Sequence, residues 1–287
     1  MIPRLCVIGV GLIGGSLARA LKRSGAVGEV VGSGRCENNL RKALELGVVD
    51  RYETRLAAAV TGADVVLVAV PLGAIGAIFQ SIAAALPDQA VLTDVGSSKG
   101  SVIADAIQAF GHLPPSFVPG HPIAGTERSG VEASFAELFQ KRRVILTPLL
   151  ETDPAAHNLI RTMWQATGAE VVDMGVRHHD EVLAATSHLP HMLAYALVDT
   201  LARMDDRAEI FRYAAGGFRD FTRIASSDPQ MWHDICLANR EALLAVLASF
   251  SADLARLSDA IRRADSQPIL ELFQRAKRAR DNLYHLE

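Results

Sequence analysis

The sequence predicts an α/β protein in two parts, a mostly parallel sheet covered by helices and then an all-helical region. Three observations carry this reading. Short apolar runs alternate with helical patterns over about the first 175 residues, the strand signals then stop, and the rest of the chain holds long stretches of three-four apolar spacing.

Residues 5–8, 29–31, 65–70, 90–93 and 144–146 are short, nearly continuous apolar runs, the pattern of strands buried on both faces. Segments 14–23, 38–46, 74–85 and 101–110 read as the helices between them. A helix over 155–167 and a short strand over 170–172 complete this part, so the expected domains are 1–175 and 176–287. Residues 178–204 read as one apolar helix that Pro190 kinks or divides. Asp228-Pro229 is a helix start, an N-cap residue followed by proline at the first helical position. Beyond it, Leu243, Val246 or Leu247, Phe250, Leu254, Leu257 and Ile261 keep three-four spacing, which predicts a single helix from about 229 to 263. Such a helix far exceeds the usual length of about 11–12 residues. Its apolar stripe needs a second body, so a homodimer through the C-terminal helices is expected.

Bulk properties narrow the classes. At 287 residues the chain is long for one core. With 49% hydrophobic and 21% charged residues it reads as soluble and globular. A net charge of −3 argues against nucleic acid or an anionic membrane surface as partner. Cys6, Cys36 and Cys236 are scattered, without metal-ligand spacing, which fits a reducing compartment. Glycines break the N-terminal apolar run, no cleavage site follows it, and Pro71 interrupts the apolar window 63–79. The expected location is therefore the cytoplasm.

VIGVGLIGGSLARAL places Gly9, Gly11 and Gly14, with Leu12 and Ile13 among them, in a Gly-x-Gly-x-x-Gly pattern. The motif gains meaning because it follows a predicted strand and opens a predicted helix. Gly9 allows the tight turn, Gly11 lets the backbone approach a pyrophosphate, and Gly14 permits close helix packing. This predicts a Rossmann-type dinucleotide-binding domain with NAD as cofactor and NADP open. At the end of the second strand, where NAD binders usually carry an acid, stands Ser33, with Arg35 shortly after. Serine does not repel a 2′-phosphate and arginine can pair with it. Alternatively Glu37 serves the ribose from a shifted register, and Arg35 is solvated or stacks on adenine.

Ligands of open parallel sheets bind beyond the carboxyl ends of the strands. AVPLG (69–73) and TDVGSSKGS (93–101) lie at such ends, which brings Val70 and Pro71 toward the cofactor. Ser97 and Ser98 either reach nicotinamide or substrate or simply begin the next helix. GHPIAGTE, residues 120–127, sets His121 between glycine and proline on what reads as a connecting loop before the last main strand. Histidine titrates near neutrality and can accept a proton from an alcohol while a hydride leaves the same carbon. The alternative is turn chemistry alone. His178-His179, followed by Asp180 and Glu181, reads as surface or hinge polarity and not as a metal site, since adjacent helical residues point in different directions. On pattern alone His188 and His191 are core histidines, Arg219 and Arg223 near Asp220 a surface ion-pair cluster, and Trp232 a core residue.

The blocks GVGLIGGSLA, TDVGSSKG, GHPIAGTERSGVEAS, SHLPHMLA and GGFRDFTRIASSDPQMW occur in this order over nearly the whole chain. Together they resemble the prephenate/arogenate (cyclohexadienyl) dehydrogenase family. The resemblance implies a nucleotide-binding domain, a helical dimerisation domain and an active site between them. It implies oxidative decarboxylation of prephenate to 4-hydroxyphenylpyruvate, or of arogenate to tyrosine, in tyrosine biosynthesis. It assigns His121 as the base on the ring hydroxyl, with Ser97 holding that hydroxyl and the nicotinamide. It gives Glu127 a place in the active-site network and His191 one at the substrate pocket, with Ser187 one turn earlier. Arg223 matches the arginine that binds a substrate carboxylate, Asp220 is its neighbour, and Trp232 lines the pocket. No metal is implied. Whether tyrosine feeds back is left open; any such feedback is expected to act at the active site, because no regulatory domain is expected after the helical pattern 268–283. The competing readings are another hydroxy- or imino-acid dehydrogenase and a catalytically silent nucleotide-binding protein.

Overall fold

A computed structural model describes residues 1–126, 128–205 and 207–283. Strands and helices alternate through β1 (Ile2–Ile8), α1 (Leu12–Ser24), β2 (Val27–Ser33), α2 (Glu37–Glu45), β3 (Arg51–Glu53), α3 (Leu56–Val60), β4 (Val65–Val68), α4 (Ile75–Ile82), β5 (Val91–Asp94), α5 (Lys99–Phe110) and β6 (Phe117–Val118). The strands form one parallel sheet in the order β3-β2-β1-β4-β5-β6, a doubly wound Rossmann arrangement. Successive side chains of a strand face opposite sides, and both sides here are covered. Leu5 and Val7 of β1 enter a buried cluster with Leu17, Leu21 and Trp164, while Cys6 and Ile8 enter another with Phe79, Phe117 and Trp232.

Two strands of this sheet gave little signal. β3 carries Arg51, Tyr52 and Glu53, none of them buried, and β6 is two residues long. The segment 144–146, expected as the last main strand, belongs elsewhere. The main sheet stops at Pro119, which has no N–H to continue the ladder. The chain then enters β7 (Gly120–Pro122), which pairs antiparallel with β8 (Arg143–Leu146), itself parallel to β9 (Glu170–Asp173). His121 therefore lies on a short strand opposite Ile145, and not on a loop. Between β8 and β9 runs α6 (Pro154–Gln165), whose N-cap Asp153 accepts from the Ala155 N–H at 3.1 Å.

The helical region opens with α7 (Val176–Leu183), a π-helical turn over Ala184–His188, and α8 (Leu189–Ala202). Pro190 is the second residue of α8 and cannot donate an amide, and the widened turn precedes it. α9 (Arg207–Arg212), α10 (Gly216–Thr222), α11 (Pro229–Ala238), α12 (Arg240–Arg262) and α13 (Ser266–Leu283) follow. Asp228 caps α11, accepting from the Gln230 and Met231 amides at 2.8 and 3.0 Å. The single helix expected from 229 to 263 is broken at Asn239, where φ is −109° and ψ is 34°. That residue is buried and its amide is used on other elements, so the apolar spacing continued where the backbone did not.

The chain divides into two compact units, Met1–Arg240 and Glu241–Glu287. In the second, Leu244, Phe250, Leu254, Ile261, Leu270 and Phe273 are exposed. Among the described residues no single helix is long and apolar enough to cross a membrane.

Phe79 ties one helical layer to the sheet. It is fully buried, with ring centroids 5.8 Å from Phe110 and 5.6 Å from Phe117. Phe79→Ala should cost about 3–5 kcal/mol in urea unfolding, the usual loss for a buried aromatic. A loss under about 1 kcal/mol would contradict this packing.

Candidate active site

The carboxyl ends of β1, β2, β4 and β5 share one edge of the sheet, and the glycine loop lies on it. Gly9 has φ +97°, and a Cβ there would meet the Ala69 carbonyl oxygen at 2.3 Å. A Cβ on Gly14 would meet the Gly9 carbonyl oxygen at 2.4 Å, so α1 can begin this close to β1 only with glycine. A Cβ on Gly11 would meet nothing within 4 Å. The space above Gly11 is open, and α1 begins at Leu12 with no side-chain cap and no acid in its first turn. Open space beside uncapped helix amides is what a pyrophosphate needs, so the residues fit a dinucleotide. Asn39 pins the loop by donating to the Val10 carbonyl at 2.8 Å.

Leu12 and Ile13 are half-buried in the first turn of α1, and Val70 and Pro71 follow β4 on the same edge. Ser33 is placed differently from the expectation. It is fully buried, and its hydroxyl donates to the Glu53 carbonyl at 2.7 Å, so the side chain is turned into the sheet. Arg35 is exposed beyond it. Glu37 already accepts from Arg41 and Tyr52, both at 3.2 Å.

At the end of β5, Lys99 is fully buried and its ammonium lies 2.5 Å from Asp94 Oδ2. The same ammonium donates to the Gly120 carbonyl at 2.6 Å, and Asp94 Oδ1 accepts from the Gly120 N–H at 3.3 Å. Both backbone groups of the residue before His121 are thereby held. His121 Nδ1 lies 2.9 Å from His179 Nε2, and His179 Nδ1 lies 2.8 Å from Asp180 Oδ1. Asp180 also accepts from the backbone amides of Lys99 and Gly100 at 2.8 and 2.9 Å, at the start of α5. Ser98 donates to it at 3.3 Å, while Ser97, one residue earlier, is half-buried. Burial first, and then the neighbourhood of the Lys99 ammonium and of two further imidazoles that would repel a second proton, holds His121 well below its ordinary value and so neutral.

A second group adjoins the first. His191 stacks on Trp232 with centroids 3.7 Å apart and donates through Nδ1 to the Ser187 carbonyl at 2.8 Å. Burial and then the charge of Arg223 lower its pKa, which places Arg223 within electrostatic reach. Arg223 and Asp220 are both exposed, at the end of α10 and within it. His188 edges toward Trp232 at 6.2 Å between centroids and takes the Asn239 amide at 3.1 Å. Glu127 lies outside the described residues.

His179 corrects the sequence reading of a polar histidine pair. His178 faces solvent as expected, but His179 is fully buried between His121 and Asp180. Asp180 reads in the sequence only as polarity beside the histidine pair, and Lys99, Asp94 and Asn39 carry no spacing that marks them. The one available signal was Asp94 and Lys99 lying in the same TDVGSSKG block as Ser97.

Burial pushes the His188 imidazole from an ordinary 6.5 down to about 4. The native state thus resists protonation that the unfolded chain accepts. Stability is complete above pH 6.5 and falls as pH drops toward 4. His188→Gln should remove about 2–3 kcal/mol of the stability difference between about pH 7 and pH 4.5. Urea midpoints at the two pH values for both proteins measure this, and an unchanged acid loss in the variant would refute it.

Against this geometry the comparisons are consistent. Residues 17–173 match the family model for the prephenate dehydrogenase nucleotide-binding domain, and 176–275 match that for the prephenate dehydrogenase dimerization domain. Cyclohexadienyl dehydrogenase of Zymomonas mobilis is 42% identical, over 96% of this chain and 94% of that protein. The crystal structure of Aquifex aeolicus prephenate dehydrogenase with hydroxyphenyl propionate and NAD+ superposes with a TM-score of 0.91 at 37% identity, covering 99% of both chains. Synechocystis arogenate dehydrogenase gives 0.81 at 29% identity, covering 98% of this chain and 99% of that one. The chain, with its dinucleotide-binding sheet followed by helices, belongs to the prephenate dehydrogenase family of NAD(P)-dependent enzymes.

Proposed function

We propose that the protein oxidatively decarboxylates prephenate to 4-hydroxyphenylpyruvate, and arogenate to tyrosine where that substrate is offered, with His121 as the base. The observation that carries this is the placement of His121. Its strand begins where the carboxyl edge of the sheet ends, its imidazole is held neutral, and its Nδ1 is engaged by His179 at 2.9 Å. Nε2 is then the nitrogen that takes the proton of the ring hydroxyl. A dinucleotide held by the glycine loop and the start of α1 would supply, at that edge, the acceptor for the hydride on the carbon bearing the hydroxyl. The bond from the ring to its carboxylate breaks, carbon dioxide leaves, and the electron pair restores aromaticity. That gain leaves the protein to supply position and one base.

Ser97 is read as holding the hydroxyl, Arg223 as binding a substrate carboxylate with Asp220 as its neighbour, and Glu127 as an acid of the active-site network. His191, Trp232 and Ser187 form the wall that the stacked rings supply. NAD is the expected cofactor. NADP stays admissible because Ser33 brings no charge and Arg35 is exposed, while Glu37 is engaged by Arg41 and Tyr52. We assign cofactor binding to residues 1–175, and substrate binding and dimerisation to 176–287, in a cytoplasmic homodimer. The apolar residues left exposed on α12 and α13 support the dimer.

Reduced-nicotinamide formation with prephenate and with arogenate, each against NAD and NADP, tests the reaction. His121→Asn should lower kcat by about 10²–10⁴-fold, the usual worth of a positioned base. Silence in all four combinations from folded protein would overturn the assignment. Arg223→Ala should lower kcat/KM by about 10–100-fold, chiefly through KM, because a charge-assisted anchor is lost. Leu254→Glu should turn a sedimenting dimer into monomer; an unchanged mass would remove α12 from the interface.

A further inference from the structure

We infer that His179 and Asp180 are positioning residues for His121, a carboxylate–imidazole–imidazole chain that fixes which nitrogen of His121 is the base. The inference rests on the reading of His121 as proton acceptor and adds how that nitrogen is selected.

With one proton on each imidazole, the chain of hydrogen bonds admits one arrangement. Asp180 is anchored from three sides, by the amides of Lys99 and Gly100 and by the Ser98 hydroxyl. These are groups at the N-terminus of α5, where a carboxylate is favoured. Burial alone would raise the Asp180 pKa, yet the hydrogen bonds from His179, Lys99 and Gly100 outweigh it and hold it below the ordinary value. An ionised carboxylate only accepts, so His179 Nδ1 carries the proton that it donates over 2.8 Å. In neutral His179 the other nitrogen, Nε2, is then an acceptor. His121 Nδ1, 2.9 Å away, must be the donor, which leaves the lone pair on Nε2. When Nε2 takes a proton, the new imidazolium keeps its Nδ1–H aimed at an acceptor polarised by Asp180. The carboxylate stabilises a charge that develops during the reaction, across two hydrogen bonds.

The groups facing the pair do not replace this role. Lys99 on α5 is committed to Asp94 of β5 and to the Gly120 carbonyl. His188, in the π-helical turn, is held neutral by burial, and its Nδ1 takes the Asn239 amide. Asn239 also donates to the Asp180 carbonyl at 2.8 Å, which fixes the start of the chain through its backbone.

The test uses the full-length protein with ring-15N-labelled histidine, and steady-state kinetics at saturating cofactor. His121, identified by the signal missing in His121→Asn, should appear as the Nδ1–H tautomer. In His179→Phe that signal should move toward the Nε2–H form, and kcat should fall by about 10²-fold or more with KM changed less than about threefold. Asp180→Asn should do the same, because its amide favours the reversed chain. His179→Gln should recover at least about tenfold over His179→Phe, since its carbonyl can accept from His121 and its amide can donate to Asp180. An Nε2–H tautomer of His121 in the unaltered protein overturns the inference without any variant. If His121→Asn is inactive while folded His179→Phe keeps kcat and tautomer, the positioning role fails and the base stands. If His121→Asn retains full turnover, the base assignment itself fails, and this inference with it.

Discussion

Lys99 is the residue on which the geometry of the site converges. Its ammonium joins β5 to β7 by taking Asp94 and the Gly120 carbonyl together. Its backbone N–H, at the first position of α5, reaches Asp180 on α7. One fully buried residue therefore fixes both the strand that carries His121 and the carboxylate behind His179. Burying an ion pair is a poor way to gain stability, since desolvation opposes the attraction, and losing one partner strands the other at a cost of about 3–5 kcal/mol. What such a pair supplies here is position. Asp94 uses one oxygen on Lys99 and the Gly96 amide and the other on the Gly120 amide, so β7 has little freedom to shift. A Cβ on Gly120 would come within 3.2 Å of the Asp94 carbonyl oxygen, so glycine helps β7 sit this close to β5.

The neutral imidazoles follow from that frame. Burial is the leading cause of the lowered pKa values of His121, His188 and His191. A protein that keeps several histidines neutral in its interior accepts a loss of stability in acid. The same burial orders the rings, through the stack on Trp232 and through fixed hydrogen bonds at Nδ1 of His121, His188 and His191.

The parallel sheet was legible because its strands are buried on both faces and so read as unbroken apolar runs. The exceptions have physical reasons: β3 buries nothing, and β6 and β7 are too short to show a period. β8 reads like a main-sheet strand because Val144, Ile145 and Leu146 are equally buried in the smaller sheet. The glycine loop was legible since its three glycines keep a fixed spacing between a strand and a helix, although the demand on Gly9 comes from distant Ala69 and Gly11 only leaves space open. His179 was not. Its partners are 58 residues away on β7 and in the adjacent Asp180, and nothing in the spacing of a short helix reports a contact with a distant strand. Asn239 was hidden similarly, because apolar spacing runs across the position while its amide serves Asp180 and His188.

A base held well below its ordinary pKa is always available but weak, and the electrostatics of the site bear on how it acts. The cations near the rings, Lys99 beside His121 and Arg223 beside His191, both lower imidazole basicity. A dianionic substrate of the proposed kind adds opposite charge in the same low-dielectric surroundings. An anion paired with Arg223 would offset its effect on His191. The carboxylates of the proposed substrate lie across the ring from its hydroxyl, so their charge would reach His121 only at a distance. Asp180 is independent of the substrate, because its position is fixed by the amides of α5 throughout. On the proposed assignment, that fixed carboxylate sets which nitrogen of His121 accepts.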